Sequence, residues 1–229
     1  MDATHESWIL LILMALSLGL RHGLDLDHIA TIDAITRTAS TNRLLSKTVG
    51  FFFSLGHGLP VIALSLIIGS GLVQSHVPEW LDSFGKWISV FFLFFFGALN
   101  LISLFQSPSK STLPVGIKSF IAKKLANKNL NPAIVMSVGA LFALSFDTFS
   151  QVALFSLSAS LLAGWFFSGV LGLFFTLGMM TADGLNGFLV ATIIQRADRR
   201  SLILSRGLGL TISIFSFLIG FIGFMSLFE

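Results

Sequence analysis

The sequence predicts an all-α, polytopic membrane protein with about six transmembrane helices, which two inverted three-helix halves would accommodate. Three observations carry this. Of the 229 residues, 54% are hydrophobic and 11% charged, against roughly 25% charge in a soluble domain. Mean hydropathy is +0.89. Apolar stretches of the ~20 residues that cross a bilayer recur at about 8–36, 48–74, 83–105, 132–160, 163–194 and 203–228. They fill most of the chain, so a single transmembrane domain over 1–229 is expected, with no soluble domain.

The first span is too long for one straight crossing, and Gly19 and Gly23 flank Arg21 and His22, so a break is expected there. Irregular backbone at membrane depth is tolerated where it is buried in protein or lines a cavity. The second span holds Gly56-His57-Gly58-Leu59-Pro60. Pro60 has no N–H for the carbonyl of Gly56, which leaves that oxygen open. The connection Gln106–Asn131 begins with a turn-rich run, SPSKSTLP. Within it Ile117, Phe120, Ile121 and Leu125 repeat at helical spacing. That pattern fits an amphipathic helix on the inner membrane surface and a solvated linker equally well. The fourth span carries Ser145-Phe146-Asp147-Thr148 with Gln151 one turn on, and the fifth carries Met179-Met180-Thr181-Ala182-Asp183 with Asn186 one turn on. The 25 phenylalanines are read as lipid-facing or packing residues.

Because the long connection falls after three spans, two three-helix groups would run in opposite directions, as in inverted-repeat transporters. Asp27 and Asp147 then occupy comparable places, as do His57 and Asp183.

A pI near 9.6 raises nucleic acid as a partner, but the distribution of charge excludes that reading. Arg37, Arg43 and Lys47 fall in the first connection, five lysines in the third, and Arg196, Arg199, Arg200 and Arg206 in the fifth. The opposite ends hold Asp2, Glu6, Glu79, Asp82 and Glu229. The positive-inside rule then puts both termini outside the cytoplasm of an inner, cell membrane, with the lysines facing anionic lipid. The first residues, MDATHES, are acidic, unlike a cleaved leader, so the first span is expected to be retained. The absence of cysteine excludes disulfides and a thiolate metal site.

The chemistry concentrates in Arg21–Asp33, RHGLDLDHIATID, where six side chains ionise. Each charge at mid-membrane costs at least about 3 kcal/mol, so the cluster demands a use. On a continuous helix His22, Asp25 and His28 fall within about 120° of one another, Asp33 returns nearly to the direction of His22, and Asp27 points away from Asp25. Two imidazoles with carboxylates form the coordination shell of a divalent cation. His22, Asp25, His28 and His57 are therefore the candidate metal ligands. Arg21, Asp27, Asp33, Asp147, Asp183, Gln151 and Asn186 are candidate supporting or gating residues. Arg21 stands four residues before Asp25 and can pair with it along a helix. Asp27 or Asp33 can accept the second N–H of a ligating imidazole. Asp147 and Asp183 are open to three roles: pairing with Arg21 or a histidine, approaching the metal, or relaying protons. The competing reading of the whole cluster is a set of internal salt bridges, but one arginine cannot neutralise three or four carboxylates.

Together these segments resemble the nickel/cobalt transporter family of bacterial and archaeal permeases. Arg21-His22, four residues on to Asp27-His28, matches its signature, and Gly56-His57, Phe146-Asp147-Thr148 and Gly178-Met179 with Asp183 match its other motifs in order and spacing. Three positions depart: Gln151 and Asn186 stand where the family usually has acids, and Gly58 where it has serine. The resemblance implies a permease that carries nickel or cobalt as substrate, with no cofactor and no enzymatic activity. The connection 106–131 lacks the histidines of related exporters, which favours import. The alternatives are a metal exporter of the same family, an intramembrane metalloenzyme with Asp147 or Asp183 as base, and a proton-translocating or structural membrane subunit without metal. No HExxH spacing supports the enzyme, and no Gly-rich phosphate loop implies nucleotide hydrolysis.

Overall fold

The computed structural model describes residues 3–70, 79–105, 130–144, 164–196 and 199–228, and these are helical without any strand. The helices are α1 Ala3–His22, α2 Leu26–Thr38, α3 Arg43–Gly69, α4 Glu79–Phe105, α5 Pro132–Phe142, α6 Trp165–Gln195 and α7 Arg199–Met225. Four of them are long and apolar enough to cross a membrane, and the bent pair α1–α2 makes up to five. The fourth expected span is represented by α5, and its remainder lies outside the described residues, as does most of Gln106–Asn131.

The first span is two helices bent by 56°. The α-helical bond from Gly23 N to Gly19 O (3.0 Å) is the last of its kind in α1. Leu24 N and Asp25 N then turn back to Arg21 O and His22 O, each at 3.0 Å, closing tighter three-residue turns. Asp25 adopts an extended backbone, φ −65° and ψ 146°, and becomes the residue before α2. Asp27 lies in the first turn of α2, where a negative charge favours the helix N-terminus. Space, rather than dihedral freedom, requires glycine at 23: a Cβ there would stand 2.9 Å from both Met179 O and Ala182 Cβ of α6.

α2 has 13 residues and is buried on all sides from Ala30 to Thr36. At 1.5 Å per residue it is about 20 Å long, short of the ~30 Å hydrocarbon core. It touches α3, α4, α6 and α7. α3 starts at Asn42, whose side chain accepts from Leu45 N at 3.1 Å, and it continues through Pro60. Its buried residues Ser46, Val49, Gly50, Phe53, Ser54, His57, Val61, Ser65 and Ile68 recur at helical spacing.

α3 and α6 share the largest interface; α1 lies on α6, α5 on α3, and α4 pairs with α7. Small residues bring backbones close, as membrane helices require. A Cβ on Gly56 would collide with Met136 O, and one on Gly139 with Phe53 O. Phe53, Phe142, Val49, Val135 and Ile32 fill the adjoining core, and Leu171, Phe175, Val61 and Ala15 form a second apolar cluster.

The basic residues expected in the first connection sit elsewhere: Arg37 ends α2, and Arg43 and Lys47 begin α3, leaving Ala39–Asn42 between them.

Candidate metal centre

Three helix segments deliver one imidazole each to a common point. His22 is the last residue of α1, His28 lies in the first turns of α2, and His57 is at mid-α3. The break makes this possible, because it turns the chain so that residues on both sides of it face α3. The three side chains are 2%, 1% and 0% exposed. Ring centroids are 4.6 Å apart for His22–His28, 5.2 Å for His22–His57 and 5.0 Å for His28–His57. One ring nitrogen of each lies within 4.8 Å of the other two. Phe53, Phe142 and Phe175 wall the centre, with ring centroids 5.0 and 5.8 Å from His28 and 5.4 Å from His22 respectively.

Carboxylates stand behind two of the rings. His22 Nδ1 is 3.1 Å from Asp25 Oδ2, and His28 Nδ1 is 3.1 Å from Asp183 Oδ2. A carboxylate accepts, so each Nδ1 donates, and in a neutral imidazole the lone pair is then on Nε2. His28 Nε2 is buried and has no hydrogen-bond partner among the described residues. In a dry interior such an atom is costly unless something fills it. Three imidazoles, two of them with a carboxylate behind the ring, suit a borderline divalent transition metal.

The break places several of the expected residues differently from a continuous helix. Asp25, expected among the ligands, stands behind His22, because the helix that would have carried the stripe ends at His22. Arg21 is exposed and forms no ion pair with Asp25 among the described residues, since four residues no longer make one turn across Gly23–Asp25. Asp27 Oδ1 accepts from its neighbour His28 N at 2.9 Å, rather than from a ring. Asp33 does not return to the direction of His22: it is fully buried against Arg37. Arg37 Nε and Nη2 donate to its two oxygens at 2.8 and 3.0 Å, and Nη1 and Nη2 reach Ser205 Oγ and O of α7 at 2.8 and 3.0 Å.

Of the partners expected for Asp183, the structure shows a histidine: its Oδ2 lies 3.1 Å from His28 Nδ1. Asn186, one turn on, has a buried Nδ2 without a hydrogen-bond partner among the described residues. Asp147 and Gln151 lie outside the described residues. Two participants were not anticipated, Ser54 and Arg37. Arg37 was detectable by its i, i+4 spacing from Asp33. Ser54 was detectable as the residue one turn before His57 on the same face.

Such a helical, multi-pass architecture defines the class of polytopic membrane proteins, here with three buried imidazoles that could hold a metal ion. Within that class the chain belongs to the high-affinity nickel-transport protein family, whose profile matches residues 8–228. It is 31% identical over 202 residues to the nickel transporter NixA of Staphylococcus aureus, covering 78% of this chain and 60% of that one. It is 31% identical over 246 residues to the high-affinity nickel-transport protein NixA of Helicobacter pylori, covering 94% and 73%. It is 28% identical over 197 residues to the cobalt transport protein NhlF of Rhodococcus rhodochrous, covering 74% and 56%. The chain spans roughly half to three fifths of the length of the first relatives it matches. No solved structure matches it.

Proposed function

We propose that this chain is a permease of the cell membrane that imports nickel or cobalt through the centre formed by His22, His28 and His57. The convergence of three buried imidazoles at the break of a broken span carries this reading. The relatives named as nickel and cobalt transporters support it, as does membership of a transporter rather than an enzyme family.

In this reading the metal is cargo. It sheds water on entering from outside, exchanges its hydration shell for imidazole nitrogens among phenylalanine walls, and leaves toward the basic face when the helix groups rock. Asp25 and Asp183 hold the two rings in the ligating tautomer. Both termini lie outside the cytoplasm, following the distribution of Lys and Arg. A membrane potential of 100 mV does about 2.3 kcal/mol of work per charge, so about 4.6 kcal/mol on a divalent ion. That supports accumulation on the order of a thousandfold at ~1.4 kcal/mol per decade, without ATP.

The test is uptake of labelled nickel by cells expressing His22→Ala or His28→Ala, with the protein quantified in membranes. Uptake is expected to vanish at normal protein levels. Wild-type uptake by either variant overturns the site.

A further inference from the structure

The proton inventory around Asp183 singles out a residue with no assigned role. Ser54 is fully buried on α3, one turn after Gly50 and one turn before His57. Gly50 lets the two longest-packed helices touch: a Cβ there would collide with the main-chain carbonyl of Asp183. That contact sets Ser54, four residues on and on the same face, against the Asp183 side chain. Ser54 Oγ lies 2.6 Å from Asp183 Oδ2 and 2.9 Å from Gly50 O. A hydroxyl has one proton to donate. The habitual bond of a helical serine is to the carbonyl four residues back, but the shorter contact here is to the carboxylate, and charge-assisted bonds to carboxylates are both shorter and stronger.

We infer that Ser54 is a positioning residue for metal binding: it donates to Asp183, which fixes the His28 ring so that Nε2 faces His22 and His57. The chain Ser54–Asp183–His28 joins α3, α6 and α2 through contacts of 2.6 and 3.1 Å. It constrains the same Asp183 oxygen from two sides. Without the serine donor, Oδ2 loses one of two anchors and the carboxylate is free to rotate about its last torsion. The imidazole that leans on it then rotates too. Ser54 does not itself touch the metal, so its effect falls on affinity. Partners that orient a ligating histidine typically change metal affinity by ~10- to 100-fold.

The inference rests on the nickel-site reading above, and the experiment separates the two. Nickel uptake is measured against nickel concentration in cells expressing the full chain as wild type, Ser54→Ala, Ser54→Thr and His28→Ala, with membrane protein quantified for each. Ser54→Ala is expected to raise the half-saturating nickel concentration by ~10-fold or more, with the maximal rate per molecule close to wild type. Ser54→Thr, which keeps the hydroxyl, is expected to stay near wild type. An unchanged half-saturation in Ser54→Ala overturns the proposal. So does a loss of maximal rate alone, which is what a merely structural serine would produce. An equal weakening by threonine also overturns it, because packing rather than the donor would then be responsible. Wild-type uptake by His28→Ala would instead remove the nickel site itself.

Discussion

α2 carries a buried ionic cluster near each end, and the two differ in one respect. At the C-terminal end Asp33 accepts through both oxygens from Arg37, and Arg37 makes two further bonds to Ser205. That cluster is closed, and it ties α2 to α7. At the N-terminal end His28 is held through Nδ1 by Asp183, while its Nε2 is buried without a hydrogen-bond partner among the described residues. That cluster is open toward two other imidazoles. Burial of charge is common to both, so burial alone does not mark function. What sets the N-terminal end apart is that its unpartnered nitrogen belongs to a group of three convergent buried imidazoles, an arrangement that could hold a metal ion.

The largest expected effect lies at the closed end. Asp33→Ala leaves a mostly buried guanidinium without its carboxylate, and breaking a buried pair from one side costs about 3–5 kcal/mol. Thermal unfolding of the purified protein in detergent should show this as a large drop, with little protein left in membranes. Replacing both partners together, Asp33→Leu with Arg37→Met, should restore stability and nickel uptake. A folded double variant that no longer transports would give the clamp a part in transport, and the contrast between the two ends would fail.

At the open end Asp183→Ala should leave a folded protein whose half-saturating nickel concentration is raised ~10- to 100-fold, read from uptake curves normalised to membrane protein. A stability loss as large as that of Asp33→Ala, with unchanged half-saturation, would make the two ends alike. The smallest effect is graded. Lowering the pH of the uptake assay should weaken nickel binding progressively, since protons and metal compete for the same imidazole nitrogens. An affinity flat across the acidic range would argue that the nitrogens are not the ligands.

The break at Gly23–Asp25 accounts for most of the distance between what the residues implied and what the fold does. Six ionisable groups in thirteen residues marked the segment, and Gly19 and Gly23 marked a break. A helical wheel drawn through that break nevertheless put Asp25 beside the metal and Arg21 beside Asp25. The i, i+4 rule was sound, but it belonged to Asp33 and Arg37 in α2, where the helix is continuous. Asp183 was legible as a lone carboxylate in an apolar helix, but its partner was not, because 155 residues separate it from His28.

Composition and pattern by themselves determined that the chain is helical and lives in lipid, that its ionisable groups are imidazole and carboxylate without thiolate, and that His22, His28 and His57 are the residues to watch as candidate ligands. These follow from local quantities: hydropathy, charge and the cost of burying ionisable groups. Only the tertiary structure decided which carboxylate lies beside which ring, that Asp33 pairs with Arg37, and that Ser54 reaches Asp183. Those depend on how closely α3 and α6 approach and on which way the chain turns after His22, and neither is encoded within one helical turn of the residues concerned.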